Sequence, residues 1–246
     1  MKKYFILLIG FCIACNNNQK ENAFTPQVGD LLFQDLDSSP LCDAIELVTP
    51  GYKGGNFSHI GIVIETNQPP LPTNPNEVCE DKYFYCLDQD VKVLEALPGG
   101  VQITNIDSFL NRSYDINKNP KVIVGRLKPQ YRHSIQDAIS FLKKKLGAEY
   151  DNTFIIDNSS YYCSELIYEA FKKDSIFLLQ PMTFLHPYSS DTLETWKNYY
   201  SELGMRIPQN KPGINPGLMS LSNKIEIIHL YGTPDGMKKQ ILICLK

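Results

Sequence analysis

No apolar stretch in the sequence reaches the roughly 20 residues a helix needs to cross a bilayer. The longest, Tyr4 to Ala14, has eleven, which excludes a multi-span membrane protein. No stripe of lysine and arginine interleaved with aromatics is present. The 24 basic residues face 27 acidic ones, for a formal charge of −3, and this balance excludes a basic nucleic-acid binder. Beyond Cys15 there is no Cys-x-x-Cys pair, and His-Glu-x-x-His is absent, so a structural zinc site or a zincin is not expected. There is no internal repeat and no linker long enough to split the chain. With 43% hydrophobic and 21% charged residues the composition is that of a folded globular protein rather than a disordered polyelectrolyte.

What is there begins with an address. Lys2 and Lys3 precede the apolar run, which ends in Cys12-Ile13-Ala14-Cys15. A short basic region, an apolar region and a small residue before cysteine follow the order of a bacterial lipoprotein signal. Residues 1–14 are therefore expected to be a signal peptide. Residues 15–25 form the lipidated Cys15 and a polar tether, and residues 26–246 a single domain. Two or more acyl chains on Cys15 would anchor the protein stably to a membrane. The outer membrane, with the domain facing the periplasm, is the expected location. Residues 1–14 hold two lysines and no acids, so the remaining chain has a formal charge of −5. Of seven cysteines, Cys42, Cys79, Cys86, Cys163 and Cys244 then remain. Their odd number raises the question of which thiol stays free, and their connectivity is not readable.

Strands are predicted at Val28–Phe33, Ser58–Glu65, Tyr83–Leu87, Lys92–Ala96, Val101–Ile103, Val122–Leu127, Lys224–Tyr231 and Gln240–Leu245, from β-branched content and alternation. Helices are predicted at Pro40–Val48, Arg132–Leu146, Tyr161–Lys173 and Ser190–Leu203. In the second, Ile135, Ala138, Ile139, Leu142 and Leu146 recur at three and four, and Gly147 closes it. Asn158, Ser159 and Ser160 are candidate caps for the third. The Pro- and Asn-rich residues 67–77 make an exposed excursion. The mixture reads as one α+β domain.

Cys163 falls in the first turn of the Tyr161–Lys173 helix. It is either a small buried hydrophobe, as many cysteines are, or a thiolate favoured by the helix start. A nucleophilic thiol needs a base, and His59 opens a strand after a glycine-rich loop, where it can project from a sheet rim. His133, His186 and His229 lie on a polar helix start, before Pro187 and mid-strand, which suits them less. The third member of such a site orients the imidazole. Glu95, among apolar neighbours in the next strand, would be costly to bury without a partner. Glu65 is its rival, on the same face as His59 but about 20 Å along the strand.

Five segments carry a family resemblance, in order. They are Val28-Gly29-Asp30-Leu31-Leu32-Phe33, Ser58-His59-Ile60-Gly61-Ile62-Val63, Val93-Leu94-Glu95-Ala96, Gly147 to Asp151, and Tyr162-Cys163-Ser164-Glu165-Leu166. Together they resemble the YiiX/YaeF-like permuted papain-fold amidases, relatives of the NlpC-type cell-wall peptidases. Pro212-Gly213-Ile214-Asn215-Pro216-Gly217 looks like their C-terminal region. The resemblance implies a circularly permuted papain-like fold, a small antiparallel sheet or barrel packed on helices, with the histidine strand first and the cysteine helix last. It implies Cys163 as nucleophile, His59 as base and Glu95 as the third polar residue, with no metal or organic cofactor required. Tyr52, Tyr161 and Tyr162 are expected to line the cleft. A peptide or N-acyl substrate is expected, peptidoglycan stem peptides among them, handled by a monomer. Two other readings stand beside this one: acyl transfer or ester cleavage on lipids through the same cysteine, as in relatives similar to lecithin retinol acyltransferase, and a non-catalytic binding lipoprotein.

Overall fold

The computed structural model describes residues 24–67, 90–156 and 158–238. In chain order the elements are β1 (Leu31–Gln34), α1 (Pro40–Val48), β2 (His59–Glu65), β3 (Lys92–Leu97), β4 (Gly100–Asn105), α2 (Ile106–Leu110) and β5 (Val122–Leu127). They continue with α3 (Ile135–Lys143), α4 (Cys163–Phe171), β6 (Gln180–Pro181), α5 (Glu194–Glu202), β7 (Pro212–Gly213), α6 (Pro216–Ser220) and β8 (Ile225–Leu230). Six strands form one antiparallel sheet in the order β4-β3-β2-β1-β5-β8, and β6 pairs separately with β7.

Alternation along the central strands sorts side chains onto two faces. Leu31, Phe33, Ile60, Ile62 and Leu94 point toward α3 and α4, where Ala138, Leu142, Leu166, Ile167 and Phe171 complete the main core. Leu32, Val63, Val93 and Val124 point the other way, under Ile106 and Phe109 of α2. A third apolar cluster, Ala44, Phe184, Trp196 and Tyr200, seats α1 against α5. The result is the α+β arrangement of an antiparallel sheet packed on helices that the sequence led us to expect.

Several boundaries differ from expectation for local reasons. The first strand begins at Leu31 because Gly29, at φ +92°, turns the chain, and a Cβ there would lie 2.7 Å from Ile135 Cδ1. Residues Pro129–Ser134 form a 3₁₀ turn, leaving Ile135–Lys143 as the α-helix, and Leu146 is exposed rather than core. The cysteine helix starts at Cys163 with Tyr162 as its N-cap, whose backbone N–H donates to Glu165 Oε2 at 3.4 Å. Asn158 instead accepts from Ser160 and closes a local turn. The strands expected at Tyr83–Leu87 and Gln240–Leu245 lie outside the described residues, as do residues 1–14 with the signal, Cys15, and Cys79, Cys86 and Cys244. Among the described residues Cys42 and Cys163 are free thiols, and no helix is long and apolar enough to cross a membrane.

Candidate active site

The first residue of β2 and a central residue of β3 meet on the α2 side of the sheet. His59 Nε2 lies 2.6 Å from Glu95 Oε2, and both residues are buried. Gly61 makes room for this arrangement. A Cβ on it would come within 2.8 Å of Phe109, whose ring flanks the imidazole at 5.6 Å between centroids.

Glu95 is saturated with donors. Arg112 takes both oxygens, Nη1 to Oε2 at 2.7 Å and Nη2 to Oε1 at 2.5 Å, and Thr104 Oγ1 donates to Oε1 at 2.5 Å. Burial by itself would raise this carboxyl. The bonds from Arg112, His59 and Thr104 outweigh it and hold Glu95 at about 2. For His59 burial favours the neutral ring, but its side-chain hydrogen bonds to Cys163 and Glu95, with their charges, win and raise it to about 9.

Cys163 comes from the other direction, as the first residue of α4, and is buried. Its thiol donates to the Ser58 carbonyl oxygen at 3.9 Å and stands close enough to His59 to help hold the imidazole proton. Ser58 is itself fixed: its hydroxyl accepts from the Leu36 N–H at 3.1 Å and faces the buried Glu46 carboxyl. Burial pushes Glu46 up to about 8, against the lowering effect of the Ser58 hydroxyl.

A cavity of about 220 Å³ opens beside the thiol. Ser58, Tyr150 and Tyr162 stand near Cys163 in its lining, and Phe154, Phe184 and Trp196 form an aromatic wall. Among the described residues no Asp, Glu, Lys or Arg side chain lines it. Burial raises the Tyr150 and Tyr162 phenols well above their ordinary range, so both stay protonated.

Of the residues singled out in the sequence, Cys163, His59, Glu95 and Tyr162 are brought together. Tyr161 and Tyr52 do not line this cavity, contrary to expectation. Consecutive residues point to opposite sides, so Tyr161 turns away from Tyr162 into the core, under the Lys145 ammonium at 4.9 Å. Tyr52 sits in a 3₁₀ turn held by its N–H to Ser220 Oγ and faces a separate groove along β8. Glu65 is exposed at the far end of β2. His133 and His186 hold local turns, and His229 stacks on Phe24.

Arg112 and Thr104 escaped the sequence reading. Thr104 was within reach of it, because a tight Pro98-Gly99 turn pairs Val93 with Thr104, one step along the same face from Glu95. Arg112 gives no such signal, since it follows α2 in an irregular turn.

The fold that carries this site has known counterparts. Residues 25–229 match the family model of the permuted papain-like amidase enzymes, YaeF/YiiX, C92 family. The chain belongs to this family. It is accordingly a cysteine hydrolase of the permuted papain-like amidase type. The crystal structure of metalloprotein yiiX from Escherichia coli O157:H7 superposes with a TM-score of 0.60 at 20% identity, over 85% of this chain and 99% of that one. No curated protein matches the sequence.

Proposed function

We propose that this amidase works through Cys163 as nucleophile, His59 as general acid and base, and Glu95 as the orienting carboxylate. The observation carrying the reading is the buried His59 ring, bonded to Glu95 at 2.6 Å, with the Cys163 thiol at the start of α4 donating to the carbonyl of the adjacent Ser58. The thiol passes its proton to His59, and the thiolate attacks the carbonyl carbon of an amide. A backbone N–H at the start of α4, that of Cys163 itself, faces the developing oxyanion. The C–N bond breaks as His59 protonates the departing amine, leaving a thioester. His59 then takes a proton from water, which attacks the thioester and releases the acid with the thiol restored.

An uncharged, aromatic-walled cavity suits a substrate whose acyl side is apolar, so a small peptide or N-acyl amide fits better than a polyanion. Peptidoglycan fragments carrying such an end belong to this class. The same lining favours a second reading, in which the acyl group comes from a lipid and the thioester is passed to an acceptor other than water. The relative yiiX is named a metalloprotein. In this chain the one trio of carboxylates among the described residues close enough to share an ion is Asp35, Asp37 and Asp235. Lys121 Nζ already stands among them, at 3.2, 2.5 and 3.1 Å. Its ammonium supplies the charge an ion would bring, and no step proposed here runs through a metal.

The signal-like residues 1–14 and Cys15 support a place in the cell envelope, lipid-anchored at Cys15. One experiment tests both statements: membrane-extracted protein is incubated with envelope amides and analysed by mass spectrometry. An acyl or peptidyl adduct at Cys163, absent from Cys163→Ala, is expected, together with a diacylglyceryl mass at Cys15. Undiminished amidase activity in Cys163→Ala would refute the nucleophile, and a fatty-acyl adduct would select the lipid reading. An unmodified Cys15 thiol would refute the anchor.

A further inference from the structure

Cysteine attack assisted by histidine needs no arginine, yet Arg112 is built into the site. Its guanidinium grips both oxygens of Glu95. The same group lies over the Phe109 ring, 5.1 Å from its centroid, and that ring flanks His59. Gln34, buried in β1, donates its side-chain amide to the Phe109 carbonyl at 2.7 Å and so fixes the short helix that Arg112 follows.

From these contacts we propose that Arg112 is a positioning residue that keeps Glu95 ionised and bidentate. It thereby completes a chain of alternating charge: guanidinium, carboxylate, imidazolium, thiolate. The proposal rests on reading Cys163, His59 and Glu95 as the working groups.

Charge counting gives the reason. With Arg112 present, the four groups sum to zero both before and after the thiol proton moves to His59. Without it, the site carries one net negative charge in both states, and the thiolate forms near a carboxylate that nothing neutralises. Low polarizability around buried groups makes that repulsion strong. The titratable groups facing Glu95 are His59 from β2 and Arg112 from the turn after α2, alongside the Thr104 hydroxyl of β4. Cys163 faces His59, with the phenols of Tyr150 and Tyr162 neutral beside it. Loss of Arg112 therefore disfavours the thiolate and strengthens the hold of Glu95 on the imidazolium proton. Both limbs of the thiolate–imidazolium window move to higher pH. A role confined to packing would lower reactivity at every pH and leave the limbs in place.

The test uses the full chain and iodoacetate, an anion that the imidazolium attracts to the thiolate. The alkylation rate at Cys163, followed by mass spectrometry across pH, then rises with the thiolate and falls as His59 loses its proton. Arg112→Met is expected to move both limbs up by about one pH unit. Arg112→Lys keeps the charge but loses the fork, and is expected to fall between. Limbs at wild-type positions in Arg112→Met would overturn the proposal. If that variant fails to fold, Arg112→Lys decides in the same way. A wild-type Cys163 that alkylates with the pH dependence of free cysteine would instead overturn the triad, and this proposal with it.

Discussion

His59 holds its proton more firmly in the fold than in an unfolded chain, at about 9 against 6.5. A group raised in this way stabilises the native state fully below its unfolded value, and that contribution is lost as pH rises through the folded value. The window is pH 6.5 to 9, and the amount is on the order of 3 kcal/mol. Glu46, raised to about 8 from 4.5, adds a slope of the same sign at lower pH. Urea unfolding of wild type and His59→Gln should therefore diverge most at pH 6 and converge by pH 10. Parallel curves across that range would show that the imidazolium is not held by its partners. Glu95, lowered to about 2, loses its contribution only as pH falls toward that value, so it leaves this window untouched. Cys163 and His59 were legible because a helix start and a strand start are local features. The grip of Arg112 on Glu95 is a tertiary contact made by an irregular turn, and periodicity carries no trace of it.

At the level of elements, β2, β3 and α2 act as one unit with Gly61 at its centre. An added Cβ would stand 2.6 Å from Val93 Cγ1 and 2.8 Å from Phe109 Cε2, so the packing must shift. Gly61→Ala should cost roughly 1–3 kcal/mol and displace the ring beside His59. A urea midpoint equal to wild type would contradict this account of the glycine. Element types were largely readable, since α3, α4 and the central strands have strong periodicity. Their ends were not. Glu165 drew the start of α4 to Cys163, and a 3₁₀ turn took the first residues expected in α3. That shift placed Cys163 at the first helical position, facing the strand start.

Over the whole molecule, Lys121 at the entrance to β5 ties the end of β1 to the segment after β8. It is 2% exposed, beside an almost equally buried Asp35. Asp35 is raised by burial, with the Asp235 N–H and Lys121 opposing. Lys121→Met would leave that carboxylate buried and unpaired. Urea unfolding at pH 7 should show a loss of about 3–5 kcal/mol, smaller at an acidic pH at which Asp35 takes up a proton. An equal loss at both pH values would mean that Lys121 matters for its packing rather than its charge. Lys121 and Asp235 lie too far in sequence from Asp35 and Asp37, and from each other, for any local pattern to announce their meeting.

The order of the proposed catalytic residues also sets a timetable. A chain leaves the ribosome from its N-terminus, at roughly 5–20 residues per second. His59, Glu95 and Arg112 are all made before Cys163, which follows Arg112 by about fifty residues. His59, Glu95 and Arg112 share β2, β3 and the turn after α2, so they can assemble around Phe109 while the thiol is still being synthesised. With this connectivity the thiol proposed as nucleophile is the last of these groups to be made, and it can dock onto a His59–Glu95 pair that already exists.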